Sequence, residues 1–191
     1  MLVASVPAMS IGVLASGSGT ILAAIVESGI DVGIVVVDRA CRAIEVAGEA
    51  GIRTEVVERD SFGADFDRVE YTHRVIDALA AHDVDLVVMA GFGTVLEKPI
   101  FDCFAGRIVN THPSLLPAFS GWHAVEEALA AGVKVTGCTV HVATLEVDTG
   151  PILAQEVVPV RSDDTVATLH ERIKEVERRL YPATIKEVLA R

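Results

Sequence analysis

Apolar positions along the chain fall into short continuous runs, and helix-length segments separate most of them. Residues 11–14 form the first run, closed by Ala15-Ser16-Gly17-Ser18-Gly19-Thr20. Helical spacing follows from Thr20 to Glu27. Residues 33–37 are a second apolar run, residues 40–50 return to helical spacing, and residues 54–58 predict a third strand. Across 64–81, Phe66, Val69, Val75, Ile76 and Leu79 recur at helical intervals. Residues 85–93 then read as a buried strand ending in glycines, and residues 107–110 as the next strand. Strands that are apolar on both faces and alternate with helices belong to a parallel sheet covered on both sides. The pattern predicts an α/β chain with a doubly wound, mostly parallel sheet.

The last third reads differently. Residues 135–144 alternate, a turn follows at Asp148-Thr149-Gly150, and residues 151–160 are apolar again. This predicts an antiparallel hairpin added to the sheet. A long terminal helix region follows, with Ser162 as its N-cap and Asp163 and Asp164 in its first turn. No repeat or linker divides the 191 residues, so a single domain is expected.

A hydrophobic share of 51% and a mean hydropathy of +0.45 suit a chain with a large core. Basic residues number 16 and acidic residues 27, a formal net charge of −11. That balance disfavours nucleic acid and anionic membranes as partners, but leaves room for a small anionic substrate. Cys41, Cys103 and Cys138 are scattered and predict buried thiols in a reducing compartment. The first basic residue is Arg39, so residues 1–10 lack the charged start of a signal peptide. No apolar run has the length of a membrane span. The expectation is a soluble cytoplasmic protein.

Two stretches carry candidate chemistry. Ser16-Gly17-Ser18-Gly19-Thr20 joins a strand to a helix, where free backbone N–H groups cradle anions. The dinucleotide pattern fails because Leu22 stands where its third glycine belongs, and the P-loop lysine is missing. Asp38 ends the second strand, where a ribose-binding acid sits in dinucleotide enzymes. The other stretch is Asn110-Thr111-His112-Pro113. Ligands of open α/β sheets bind beyond the carboxyl ends of the strands. Asn110 is expected at such an end and His112 just past it, so both can aim donors at one developing oxyanion. Pro113 and Pro117 stiffen the loop, and Leu116-Pro117 is a candidate cis bond.

Asp148, before Thr-Gly-Pro, is either turn chemistry or a carboxylate that meets His112 and keeps its imidazole charged and oriented. His73 and His82 are expected on or near an exposed helix face, His123 at a helix start, and His141 in the core. No pair of histidines has zinc spacing, so no catalytic metal is expected, and no G-x-S-x-G elbow is present. Residues 171–179 form a charged helix face from which Lys174 or Glu177 could point into a site.

The segments Asn-Thr-His-Pro-Ser-Leu-Leu-Pro at 110–117 and Val-Asp-Thr-Gly-Pro at 147–151, with the early glycine turn, resemble the folate-dependent formyltransferases. Over residues 10–190 the chain is most similar to the glycinamide ribonucleotide transformylase family. The resemblance implies a Rossmann-like phosphate-binding half over 10–100 and a catalytic, folate-binding half over 101–191. It implies a formyl transfer from 10-formyltetrahydrofolate to the amine of glycinamide ribonucleotide, with Asn110, His112 and Asp148 catalytic. Gly17, Ser18, Gly19, Thr20, Ile21, Arg68 and Glu177 then bind the substrate. Gly93, Thr94, Val95, Leu96, Ala143, Thr144 and Val147 then bind the folate. Relatives often carry Met-Arg where this chain has Gly93-Thr94. A homodimer is compatible with this reading. A formyltetrahydrofolate deformylase, with water as acceptor, and a non-catalytic nucleotide-binding protein using the glycine turn and Asp38 are the alternatives.

Overall fold

The computed structural model describes residues 9–59, 61, 63 and 65–191. The absence of a charged leader, expected from residues 1–10, falls mostly on residues 1–8, outside the described residues. In chain order the elements are β1 (Ile11–Ala15), α1 (Thr20–Glu27), β2 (Ile34–Val37), α2 (Arg42–Glu49), β3 (Thr54–Val56), α3 (Arg68–Ala80), β4 (Leu86–Met89), α4 (Lys98–Cys103), β5 (Ile108–His112), α5 (Ala124–Ala130), β6 (Val135–Val142), β7 (Ile152–Pro159) and α6 (Val166–Leu189). One sheet holds all seven strands in the order β3-β2-β1-β4-β5-β6-β7. The first five are parallel, and β6 and β7 add as antiparallel neighbours. The expected doubly wound sheet with its terminal hairpin is therefore present.

Each central strand is apolar on both faces because helices cover both. Val13, Val35, Val88 and Val109 point toward α1, α2 and α6, while Leu14, Val36, Val87 and Ile108 point toward α3 and α4. Burial of this kind stabilises by about 25 cal/mol per Å² of apolar surface. The chain leaves β1 toward β2 on one side, and β4 lies on the other. Strand ends diverge there, which is where a crevice opens in such sheets.

Several boundaries differ from the sequence reading. β4 stops at Met89, so residues 90–93 form a turn. β5 continues through Asn110 to His112, because its antiparallel partner pairs with those residues. α4 was not foreseen, being six residues long with a proline in its first turn. Ser162 is not the N-cap of α6. Thr165 caps it, accepting from the Thr168 N–H while the Thr168 hydroxyl accepts from the Thr165 N–H. Asp164 is drawn away by Arg172 and by the Arg161 N–H. Of the three cysteines only Cys138 is buried, and Cys103 is exposed.

α6 is fixed to the sheet by a polar bond inside an apolar interface. The Tyr181 ring is fully buried, and its hydroxyl reaches the Val109 carbonyl at 2.7 Å and the Met89 carbonyl at 3.1 Å. One helix is thereby tied to β4 and β5 at once. Tyr181→Phe keeps the ring and deletes this bond. Its unfolding free energy is expected to fall by about 1–2 kcal/mol in urea titration, with the fold retained. An unchanged midpoint would mean that the hydroxyl contributes nothing.

Candidate active site

Asn110 and His112 are two residues apart on β5 and so share one face of the sheet. Asn110 lies directly opposite His141 of β6 in the antiparallel register. Their side chains meet there, with Asn110 Nδ2 3.3 Å from His141 Nε2. The other nitrogen of His141, Nδ1, lies 3.1 Å from the Val142 carbonyl and donates to it. Burial pushes the His141 imidazole below its ordinary value, which keeps it neutral. Its Nε2 therefore accepts from the Asn110 amide and fixes which way that amide faces. Thr111 points to the opposite face, 3.3 Å from Cys138 Sγ.

The loop after β5 is held by a buried threonine. Thr139 Oγ1 donates to the Ser114 carbonyl at 2.7 Å and accepts from Leu116 N–H and from Gln155 Nε2. Gln155 also donates to the Leu116 carbonyl, and the Leu116-Pro117 bond is cis. The loop returns so that the Phe119 carbonyl accepts from His112 Nε2 at 2.8 Å. Two residues on, the Gly121 N–H donates to Asp148 Oδ2 at 2.8 Å.

Asp148 adopts the left-handed region, with φ of 59°. Gly150 follows it closely packed, since a β-carbon there would collide with the Val142 carbonyl. This turn carries the carboxylate to 3.3 Å from His112 Nδ1 and 3.6 Å from His141 Nε2. Both nitrogens of His112 thus face acceptors, an arrangement that the doubly protonated ring satisfies. A neutral His141 makes no ion pair with Asp148 and serves Asn110 instead.

These groups open onto a cleft of about 710 Å³. Every residue that the sequence reading assigned to catalysis, substrate or folate borders it, except Arg68. Arg68 starts α3 and pairs with Glu97 at 3.5 Å, half exposed and away from the cleft lining. Asp38 is fully buried, held by Arg39 through two bonds of 2.9 Å and by the Thr94 hydroxyl at 3.0 Å. It is therefore a structural anion and not a ribose ligand.

One wall of the cleft is the glycine turn. Gly19 has φ of 71°, and a β-carbon on it would stand 2.9 Å from the α2 backbone at Ala43. Glycine there lets the turn close while leaving the start of α1 without a side-chain cap.

The lining also includes His170, Lys174 and Glu177, which the helical repeat of α6 aligns on one face. Burial raises Glu177 to about 7, against a lesser lowering by the Thr111 hydroxyl and Lys174. Burial and Lys174 lower His170. Burial also pushes the Cys138 thiol up to about 12, which disqualifies it as a nucleophile. Among the described residues no group of three His, Cys, Asp or Glu side chains is placed to hold a metal ion.

Three residues of the site were not singled out by the sequence. His141 was expected as core, and it is buried, but its register partner makes it part of the site. His170 shares a helical face with Lys174 and Glu177, and that spacing was the available signal. Trp122, on the loop after β5, borders the cleft with no pattern to announce it.

The geometry agrees with the comparisons to known proteins. The formyl transferase family matches residues 9–185. A phosphoribosylglycinamide formyltransferase of Mycobacterium tuberculosis is 47% identical over 178 residues, covering 91% of this chain and 81% of that one. The crystal structure of glycinamide ribonucleotide transformylase 1 from Symbiobacterium toebii superposes with a TM-score of 0.90 at 39% identity, covering 100% of this chain and 92% of the other. That of phosphoribosylglycinamide formyltransferase from Anaplasma phagocytophilum gives 0.87 at 37% identity, covering 95% and 87%. With a match over nearly its whole length and a cleft lined by the residues its motifs single out, this chain belongs to the formyl transferase family.

Proposed function

We propose that this protein transfers the formyl group of 10-formyltetrahydrofolate to the amine of glycinamide ribonucleotide, as a single-domain cytoplasmic enzyme of purine biosynthesis. The observation that carries the reading is the Asp148–His112 contact of 3.3 Å beside the oriented Asn110 amide, inside a cleft that also holds an anion cradle. The turn at residues 17–21 receives the substrate phosphate through backbone N–H groups. Residues 93–96 with Ala143, Thr144 and Val147 receive the folate. Arg68, half exposed at the start of α3, is the side chain that the resemblance adds to this phosphate site.

The amine nitrogen attacks the formyl carbon, a C–N bond forms, and the carbonyl electron pair moves onto oxygen. The Asn110 amide donates to that oxyanion, and the His112 imidazolium stabilises it by charge. His112 Nε2–H exchanges the Phe119 carbonyl for the oxyanion when the folate is seated. Each such donor is worth about 2.7–4 kcal/mol of barrier. Collapse breaks the bond to the folate nitrogen, and the proton lost by the amine passes to that nitrogen through Asp148 or a water it holds. Glu177 accepts a hydrogen bond from the amine before attack. The adduct joins the two substrates, and no covalent bond to the enzyme is needed at any step.

A spectroscopic assay with 10-formyltetrahydrofolate tests the reading. Deformylation is expected only when glycinamide ribonucleotide is present, and loss of formyl without it would indicate a hydrolase. Asp148→Asn is expected to fold and to lose about 100-fold or more in kcat. Asn110→Ala is expected to lower kcat by about 100-fold while KM changes little, as befits a group that acts in the transition state.

Glu177 makes a pH prediction. Its ordinary value is 4.5 and burial raises it to about 7, so between these the folded state keeps a proton that the unfolded state has released. Stability then falls as pH rises through that window. Glu177→Gln removes the penalty. Its gain in Tm over the parent protein is expected to be larger at pH 8 than at pH 5, as scanning calorimetry would record.

A further inference from the structure

Trp122 is 77% exposed, the most exposed of the large apolar side chains among the described residues. Yet it is not a stray surface residue. It borders the cleft, and its Cη2 lies 3.6 Å from the place a β-carbon on Gly93 would occupy. Gly93 is absent from the glycines with positive φ, so its backbone does not require glycine. A β-carbon there would just touch the indole, so any longer side chain would have to contend with the ring for the same part of the cleft. The pair is held from both ends. The Gly93 N–H donates to Ser16 Oγ at 2.8 Å, and Gly121, next to the tryptophan, donates to Asp148.

A flat apolar ring set at a cleft mouth, with its backbone anchored and its surface open, matches a flat apolar partner. Of the two ligands in the reaction proposed above, on which this inference rests, only the folate has aromatic rings. Gly93 also begins the 93–96 segment that faces it. We propose that Trp122 determines specificity for the folate, its indole seated over Gly93 as the aromatic wall of that site. It takes the place of the Met-Arg pair that relatives often carry at positions 93 and 94.

Trp122 is the only tryptophan of the chain, so its emission reports on this contact directly. Tetrahydrofolate is expected to quench that emission after correction for absorption, and glycinamide ribonucleotide is not. Trp122→Ala is expected to raise KM for 10-formyltetrahydrofolate about tenfold and leave that for glycinamide ribonucleotide within about twofold, with Trp122→Phe in between. Gly93→Met is expected to raise the folate KM more when Trp122 is present than in the Trp122→Ala background, since the two side chains compete for one space. Emission indifferent to tetrahydrofolate, an unchanged folate KM, equal rises for both substrates, or additive effects would each overturn the proposal. A parent protein that transfers no formyl group would instead overturn the reaction, and the quenching would still decide whether the indole meets the folate.

Discussion

The site depends on one carboxylate held where it cannot turn away from an imidazole. Asp148 Oδ2 accepts the Gly121 N–H at 2.8 Å and faces His112 Nδ1 at 3.3 Å. Two loops and a strand must agree for this to happen. The turn at 148–150 needs a left-handed Asp148 and a glycine at 150, and the loop at 113–121 needs the Thr139 hydroxyl beneath it. The carboxylate side chain is only 4% exposed, so little water reaches it to compete for its bonds to the Gly121 N–H and the imidazole. Preorganised charge of this kind costs little reorganisation when the oxyanion forms.

Two histidines beside one carboxylate have been given opposite duties by their surroundings. His112 has acceptors at both nitrogens and suits the charged ring. His141 is buried, gives its Nδ1 proton to a backbone carbonyl, and stays neutral. The neutral ring is useful because of its free lone pair, which decides the orientation of the Asn110 amide. A sheet that changes from parallel to antiparallel at β5 makes this division available. The antiparallel β6 sets His141 directly across from Asn110.

Much of this was legible in the residues. Buried strands in a parallel sheet have no polar face, so the apolar runs at 11–14, 33–37 and 85–93 marked the core directly, although the last of them overran the end of β4. Asn110 and His112 were conspicuous because they broke such a run. The assignment of Asp148 came from resemblance, since an Asp before Thr-Gly-Pro reads equally well as a turn, and here it is both. Other features were closed to the sequence for physical reasons. The pairing of Asn110 with His141 is fixed by the register of β5 against β6, a contact between strands distant in the chain, and without it His141 is just another strand residue. Arg68 matches a motif, but where a half-exposed side chain points is set by its neighbours, and here it pairs with Glu97 outside the cleft lining. Ser162 is as good a cap as Thr165 in isolation, but only Thr165 has the partner three residues on, Thr168, that completes a reciprocal cap.

α6 is the final element, and it supplies both the Tyr181 hydroxyl that ties β4 to β5 and the Glu177 carboxylate in the cleft. Loosening this one helix would therefore release two strand ends and withdraw a carboxylate from the cleft in a single event, so the seating of α6 and the integrity of the cleft stand or fall together.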